Sequence, residues 1–257
     1  NLGAILTVSS QNDAAVLNGV AEKLGMQAQV HIKIDTGMSR LGFLCGGDSF
    51  DEGVANVIAS CRLPGLLPEG MFLCVTDTRG SHSELTGEFA AIRQEMEQIA
   101  AFLGKKVLGQ VTESAFWAAL PALRKACGDR AVLRAIHYFE ENARTLAQRD
   151  ALQAGQFAAF AALVLESGRA SFALCQNVYC STDVRHQGLS VALALSQSIL
   201  QGSTGAWRMQ GGGFAGTIQA YVPQSLLERY HSEIERVFGK GSCYILRLRE
   251  QGAVKVI

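Results

Sequence analysis

The first part of the chain alternates short apolar strands with helical stretches. Residues 4–8 form an apolar run and residues 29–34 alternate polar with apolar side chains, so both predict strands. Between them, apolar residues recur at helical spacing from a capping Ser10 or Asn12 to Gly25. A second helix is predicted over residues 51–60. This alternation of strand and helix predicts parallel strand pairing, as in a fragment of an α/β barrel.

The middle of the chain has helical periodicity almost throughout. Apolar residues at spacings of three and four predict helices over residues 83–102, 113–125, 130–152, 155–167 and 189–200. Two of the four prolines lie in residues 61–72, just before an apolar strand at residues 73–76. We therefore place a domain boundary here, between a first part, residues 1–72, and a second part, residues 73–257.

The last stretch changes to a period of two. Residues 206–210 and 217–222 predict two strands joined by a glycine-rich loop, and residues 243–248 predict a final strand. Ser225 and Glu228 match a capping box for the helix between the last two strands. The residues predicted to form its buried face are Leu226, Tyr230, Ile234 and Val237. The pattern predicts an α+β sandwich with helices on one face of an antiparallel sheet.

The composition narrows the class of partner. Lys plus Arg and Asp plus Glu are equal at 23 each, so no net charge attracts nucleic acid or an anionic membrane. No apolar run approaches the roughly 20 residues that cross a bilayer, and residues 1–10 lack the basic start of a signal peptide. The seven cysteines form no C-x-x-C pair, so neither a disulfide framework nor a metal site is predicted. We expect a cytoplasmic protein, and no sequence feature indicates its oligomeric state.

The first cluster of candidate functional residues is the stretch HIKIDTGMSRLGF, residues 31–43. Lys33 and Arg40 lie on a predicted strand and in the loop after it, and barrel folds bind ligands at the carboxyl ends of their strands. Solvation of both side chains beside Asp35 is the alternative. The stretch resembles the signature of alanine racemases, over residues 1–72. The resemblance implies that Arg40 hydrogen-bonds the phenolic oxygen of pyridoxal phosphate and that Lys33 helps to orient it.

Two features of the racemase family have no counterpart in the sequence. In alanine racemases, the lysine that forms the Schiff base with the cofactor lies on an early strand, at a position that would precede Asn1. The second catalytic base, a tyrosine, belongs to a C-terminal domain that residues 73–257 do not resemble. Without the lysine the cofactor has no covalent anchor. We therefore do not expect the first part to bind pyridoxal phosphate.

The second cluster is the glycine-rich loop, residues 211–216, between two predicted strands. Glycines let consecutive N–H groups turn toward one anion, and they let the backbone approach a phosphate closely. A plain hairpin turn is the alternative. No Gly-Lys-Ser or Gly-Lys-Thr follows the loop, and it does not open a helix. It is therefore neither a Walker loop nor a dinucleotide-binding fingerprint.

The loop resembles the third signature motif of the GHMP superfamily, which comprises galactokinase, homoserine kinase, mevalonate kinase and phosphomevalonate kinase. Three further stretches are similar to galactokinases in particular: residues 73–86, 134–144 and 166–172. The resemblance spans residues 73–257. It implies a GHMP-kinase C-terminal domain, a ferredoxin-like α+β sandwich with helical insertions.

The resemblance also implies a chemistry. Galactokinases transfer the γ-phosphate of MgATP to the anomeric hydroxyl of galactose, so ATP with Mg²⁺ is the implied cofactor. The residues that the resemblance places at the ATP phosphates are Gly211, Gly212, Gly213, Phe214 and Gly216. Phe89 takes a sugar-proximal position where many family members have a tyrosine. A hydroxyl contact to galactose is therefore not expected from this residue.

The other galactokinase motifs precede the point matched by Leu73. They are the sugar-binding motif, the serine-rich ATP loop and the catalytic aspartate and arginine, and residues 1–72 contain nothing like them. No catalytic residue is assigned, and His82, His137 and His186 lack a nucleophile–base arrangement. We expect a sugar-kinase portion that is inactive as this chain. A fragment that binds pyridoxal phosphate and a non-catalytic sensor or scaffold are the alternatives. A natural fusion, an engineered one and a wrongly joined pair of genes would all give this pattern.

Overall fold

The computed structural model describes two short strands of the first part as backbone and most of the second part with its side chains. The described residues are 6–8, 30–32, 68, 70–80 and 85–246. Strand β1, Leu6–Val8, pairs in parallel with β2, Val30–Ile32. The predicted parallel pairing is confirmed for these strands, but two strands do not establish a barrel. Lys33 and Arg40 lie outside the described residues.

A four-stranded antiparallel sheet forms the centre of the second part. Its strands are β3, Met71–Asp77; β4, Ala206–Gln210; β5, Thr217–Pro223; and β6, Cys243–Leu246. Their order in the sheet is β4-β5-β3-β6. The predicted strands are confirmed, and β6 is described as far as Leu246. Because β3 lies between strands that come much later in the chain, the sheet depends on long-range pairing.

The described residues between β3 and β4 are mostly helical. The helices are α1, Thr86–Phe102; α2, Glu113–Cys127; α3, Asp129–Gln153; α4, Phe157–Ala170; and α5, Gly188–Leu200. A short 3₁₀ helix, Leu108–Gln110, precedes α2, and a wide π-type turn, Ser171–Cys175, extends α4. Helix α6, Gln224–Phe238, follows β5. The five predicted helices are confirmed, with ends that differ by a few residues.

Helices α5 and α6 cover one face of the sheet. Every second residue of β5 is buried, and Ala220 and Val222 pack with Leu200 of α5 and with Tyr230 and Ile234 of α6. Each large apolar side chain buried in this way contributes about 1.5–3 kcal/mol. This packing holds β5 in place and thereby fixes one end of the glycine-rich loop.

The start of α6 differs from the sequence prediction. The helix begins at Gln224, directly after Pro223, and no side chain caps it, so the predicted capping box of Ser225 and Glu228 is wrong. The cause is tertiary. Strand β5 stays paired with β3 as far as Pro223, and the Gln224 N–H donates to the Gly70 carbonyl oxygen at 2.7 Å. Ser225 is thereby placed inside the first turn instead of before it.

The buried face of α6 differs from the prediction at its last residue. Tyr230 and Ile234 are fully buried, as expected, but Val237 is 43% exposed. Phe238 lies four residues after Ile234 and packs against the core in its place. A spacing of four keeps a residue on the same helical stripe, which explains the exchange.

Helices lie on both faces of the sheet, so the prediction of one covered face is wrong. Tyr221 alternates with the residues that face α5 and α6, and it packs on the opposite side against Phe157 and Phe160 of α4, at ring-centroid distances of 6.0 and 5.2 Å. Among the described residues, Phe157–Cys175 is long and apolar enough to cross a bilayer by length and composition alone. Buried core helices share these properties, and the contact with Tyr221 places this helix against the sheet.

Candidate functional site

The glycine-rich loop, residues 211–216, connects β4 to β5. Its φ angles are positive at four positions: 80° at Gly211, 91° at Gly213, 60° at Phe214 and 94° at Gly216. Glycine adopts such angles without the steric cost that other residues incur. Positive φ angles recur in backbone nests that bind anions, but here Gly213 and Phe214 are left-handed in succession, and the Phe214 and Ala215 N–H groups are already bonded within the chain.

The middle of the loop is buried and its ends are accessible. Residues 212–215 are buried, whereas Gly211 and Gly216 are partly exposed. A phosphate would therefore reach the loop at its two ends, where β4 stops and β5 begins.

Asn177 contacts the buried middle of the loop from the segment after α4. Its side-chain Nδ2 donates to the Gly212 carbonyl oxygen at 2.7 Å, and its own carbonyl oxygen accepts from the Phe214 N–H at 2.5 Å. A Cβ built on Gly213 would lie only 1.9 Å from the Asn177 carbonyl oxygen. The missing side chain at Gly213 therefore lets the loop backbone pack directly against the backbone of Asn177.

Residues after β3 hold the other end of the loop. The N–H and the Oγ1 of Thr78 both donate to the Gly216 carbonyl oxygen, at 2.9 and 2.7 Å. Arg79, the next residue, forms an ion pair with Asp77 at 3.0 Å. Its positive charge is therefore partly neutralised before any anion approaches Gly216.

The aromatic residues that the resemblance singled out are in contact. Phe89 of α1 packs edge-to-face on Phe214, with ring centroids 5.3 Å apart. Both rings belong to a small core cluster with Ile92 and Cys175. An aromatic pair of this kind contributes about 0.5–1.5 kcal/mol beyond its burial. Phe89 supports the loop in this structure, and its proximity to a sugar stays a prediction.

A buried arginine holds the segment that carries Asn177. The side chain of Arg134 in α3 is 1% exposed, its Nε donates to the Cys175 carbonyl oxygen at 3.1 Å, and its Nη1 contacts Glu95 of α1 at 2.8 Å. Burial lowers the pKa of the guanidinium, and the charge of Glu95 opposes that effect. Arg130 pairs with the same carboxylate from a more exposed position. Arg134 thus connects α1, α3 and the segment that carries Asn177.

Glu141 joins α3, α4 and the strand that leads into the loop. It accepts hydrogen bonds from Arg144 of α3, from Ser167 of α4 and, at 3.3 Å, from Arg208 of β4. Gly168 permits this close packing, because an added Cβ would lie 3.2 Å from the Arg208 Cβ. The stretches similar to galactokinases that contain Glu141, Arg144 and Ser167 therefore converge on one partly buried ionic cluster.

The surroundings of Glu141 keep it ionised. Burial would raise its pKa, but Arg208, the hydroxyl of Ser167, His137 and Arg144 outweigh burial and lower the pKa from its ordinary value of 4.5. Because the folded pKa is the lower one, this group stabilises the fold fully above its ordinary pKa. The stabilisation is lost as the pH falls through the folded pKa.

We expect Glu141→Gln to lower the free energy of unfolding by about 2 kcal/mol at about pH 7, because charge-assisted hydrogen bonds are lost. The difference from the parent chain should shrink as the pH falls below 4.5 and through the lowered pKa of the parent carboxylate, because that carboxylate then takes up a proton. Urea denaturation followed by circular dichroism measures both values. Glu140→Gln is the control, because Glu140 contacts the same Arg144 from a position that is 46% exposed. A Glu141→Gln difference that is equal at both pH values contradicts this expectation.

The other candidate residues have separate environments. His137 is buried and is one of the groups that lower the pKa of Glu141. His186 is exposed, and its Nδ1 lies 2.8 Å from Oδ2 of Asp183. His82 lies outside the described residues. Within the part of the chain that the structure describes, no group of three or more His, Cys, Asp or Glu side chains could hold a metal ion.

The antiparallel sheet, its helices and the glycine-rich loop define a galactokinase-like fold. The crystal structure of Lactococcus lactis galactokinase complexed with galactose matches with a TM-score of 0.57 at 21% identity, covering 74% of this chain and 48% of that one.

The chain is also similar in sequence to galactokinases. A galactokinase of Glaesserella parasuis is 29% identical over 188 residues, which are 72% of this chain and 47% of the relative. A galactokinase of Actinobacillus pleuropneumoniae is 30% identical over 176 residues, which are 67% of this chain and 44% of the relative. The chain thus spans less than half the length of the curated relatives that it matches.

The first part of the chain is similar to a different family. Residues 1–122 match the family described as alanine racemase, N-terminal domain. This match runs past residue 72, through α1 and into α2, so it overlaps the similarity to galactokinases. The predicted resemblance of the chain to both families is confirmed.

The sequence did not predict that Asn177 fixes the loop from outside it, or that Arg134, the first residue of a stretch similar to galactokinases, holds the segment that carries Asn177. Asn177 lies outside the signature loop and the three stretches that the sequence singled out, and no local pattern distinguishes it from an ordinary loop asparagine. Arg134 carries a signal, because it lies between the buried Ala131 and Ala135 on one stripe of α3. A charge at such a position indicates a buried partner.

Proposed function

We propose that residues 73–257 are the triphosphate-supporting portion of a galactokinase-like sugar kinase. The observation that carries the proposal is the loop of residues 211–216, with left-handed backbone at four positions and both ends accessible. Backbone N–H groups at such a loop can hold the phosphates of MgATP without a charged side chain. The similarity to galactokinases supports ATP and galactose as the small-molecule substrates and the cytoplasm as the location.

Transfer to galactose requires more than this portion. Phosphoryl transfer depends on positioning and charge stabilisation by groups that must act together. Because the chain spans less than half of its curated relatives, we assign it phosphate binding and no turnover of galactose on its own. A non-catalytic sensor or scaffold that keeps the nucleotide site is compatible with this assignment.

We place the boundary between the two parts just before β3, which begins at Met71, two residues ahead of the predicted boundary. The racemase match reaches α1 and α2, but these helices share a core with α3. The buried residues of that core include Ile99, Phe116, Leu123 and Ala131. This packing supports the assignment of α1 and α2 to the galactokinase-like part.

The match to the racemase domain favours a second candidate function for the first part. Lys33 and Arg40 would orient pyridoxal phosphate there, and the cofactor, when bound, supplies an electron sink for chemistry at an amino acid. The resemblance provides no lysine for a covalent anchor, so the kinase portion remains the main proposal.

Isothermal titration of the full chain with MgATP tests the main proposal. We expect a dissociation constant of about 1 mM. Without the serine-rich loop of the family beside it, the glycine-rich loop must be ordered by MgATP alone, and this ordering weakens binding. A coupled assay of ADP release with galactose should show no turnover. Turnover above about one per second, typical of competent kinases, would contradict the assignment.

A matched pair of variants locates the binding. Gly216→Val should remove MgATP binding, because the residue at the accessible end of the loop has a φ of 94°. Gly202→Val imposes a similar backbone cost at a φ of 83° in open space away from the loop, and it should bind as the parent does. Equal binding by both variants would exclude the loop as the site.

A further inference from the structure

We propose that Asn177 is the positioning residue that holds the glycine-rich loop ready for a phosphate. This inference rests on the proposed function of the loop. Asn177 lies outside the signature loop and the three stretches that the sequence singled out, and its role follows from its contacts alone. It is fully buried and touches three consecutive loop residues, Gly212, Gly213 and Phe214.

The contacts of Asn177 fix the orientation of two peptide groups in the loop. The Nδ2 hydrogen bond of 2.7 Å orients the peptide between Gly212 and Gly213, and the 2.5 Å bond from the Phe214 N–H orients the next peptide, between Gly213 and Phe214. Between them, the missing side chain of Gly213 lets the two backbones touch. With these two peptides held, the loop has little freedom to rotate its remaining N–H groups away from an incoming anion.

Asn177 is itself held by rigid elements. The preceding residue, Gln176, has a φ of 53° at the end of the wide turn after α4. The Cys175 carbonyl oxygen accepts from the buried Arg134, and the Asn177 N–H lies 3.4 Å from the Ser171 carbonyl oxygen. The positioning of the loop is therefore transmitted from α3 and α4, which lie outside the nucleotide site.

The amide side chain of Asn177 is the group that we expect to keep the loop ordered. Asn177→Leu keeps a similar volume but removes the donor, which leaves the buried Gly212 carbonyl without this hydrogen bond. Asn177→Ser is smaller and keeps a hydroxyl that is too short to bridge the same distance. In both variants the loop must be ordered by the phosphate itself, so the affinity for MgATP should fall about tenfold. The folded state of the rest of the protein should persist.

Hydrogen exchange of the full chain, measured by mass spectrometry without nucleotide, tests the positioning role directly. We expect peptides that contain residues 211–216 to exchange about tenfold faster in Asn177→Leu and Asn177→Ser than in the parent. Ser196→Ala is the control, because it removes a buried hydrogen bond to Tyr230 at 2.9 Å, elsewhere in the fold. It should leave exchange in the loop and MgATP affinity unchanged, even where its melting temperature falls as much as that of the Asn177 variants.

The outcomes separate the two claims. Unchanged loop exchange in both Asn177 variants, with MgATP bound as tightly as by the parent, overturns the role of Asn177 and leaves the proposed function standing. No MgATP binding by the parent chain overturns the proposed function, and with it the role of Asn177 in binding. Equal loss of affinity in Ser196→Ala and the Asn177 variants would mean that general stability, and not positioning, sets the affinity, which also overturns the inference.

Discussion

Gly213→Ala should destabilise the protein by about 3 kcal/mol or more, because strain at a left-handed residue is added to an overpacked contact. The new Cβ would lie 1.9 Å from the Asn177 carbonyl oxygen and 2.8 Å from its Nδ2. Neither atom can move freely, since the first belongs to the backbone and the second holds Gly212. The loop or the Asn177 segment must therefore shift.

Gly202→Ala separates the two contributions to this loss. Gly202 has a φ of 83° and no atom within 4 Å of an added Cβ, so its alanine variant incurs only the backbone cost of about 1 kcal/mol. Urea denaturation of both variants, followed by tryptophan fluorescence, gives the free energies of unfolding. Equal losses at the two positions would show that Asn177 does not occupy the space beside Gly213.

Arg134→Met should lower the free energy of unfolding by about 3–5 kcal/mol, the range for a broken buried ion pair. Methionine fills part of the arginine volume but donates no hydrogen bond. The Cys175 carbonyl oxygen would lose this hydrogen bond, and Glu95 Oε2 would keep only the 3.2 Å bond from Arg130, at a site where the Arg134 side chain is 1% exposed. Arg134→Met should also loosen the glycine-rich loop, because Arg134 holds the Cys175 carbonyl oxygen two residues before Asn177, which contacts the loop.

Arg130→Met is the matched control on the same helix. Arg130 pairs with the same Glu95, but its side chain is 43% exposed. Surface ion pairs contribute little, so the expected loss is about 1 kcal/mol or less. Thermal melts of the two variants under identical conditions compare them. If Arg130→Met proved as destabilising as Arg134→Met, burial would not be the property that distinguishes the two arginines.

Local patterns predicted the elements of the second part well. The helical periodicity of residues 113–125 and the alternation of residues 217–222 are strong because each element buries one continuous face. The glycine-rich loop was visible for a similar reason, since three consecutive glycines interrupt two strands. The resemblance to galactokinases assigned the fold of this part, which periodicity alone left as an α+β sandwich.

The errors arose where distant parts of the chain decide the local structure. The pairing of β5 with β3 moves the start of α6 and removes the capping role of Ser225. Tyr221 occupies a position that alternation assigns to solvent, yet α4 covers it. Asn177 shows the limit most clearly, because its significance comes entirely from the loop that it meets in the folded chain.

The central claim is that the loop of residues 211–216 binds the phosphates of MgATP. Hydrogen exchange of the full chain, compared with and without saturating MgATP, tests it most directly. We expect slower exchange in peptides that contain Gly211 and Gly216 when MgATP is bound. Exchange in α2 should be unchanged, because α2 packs with α1 and α3 in a separate core. Protection confined to other peptides, or no protection at a nucleotide concentration that saturates binding, would contradict it.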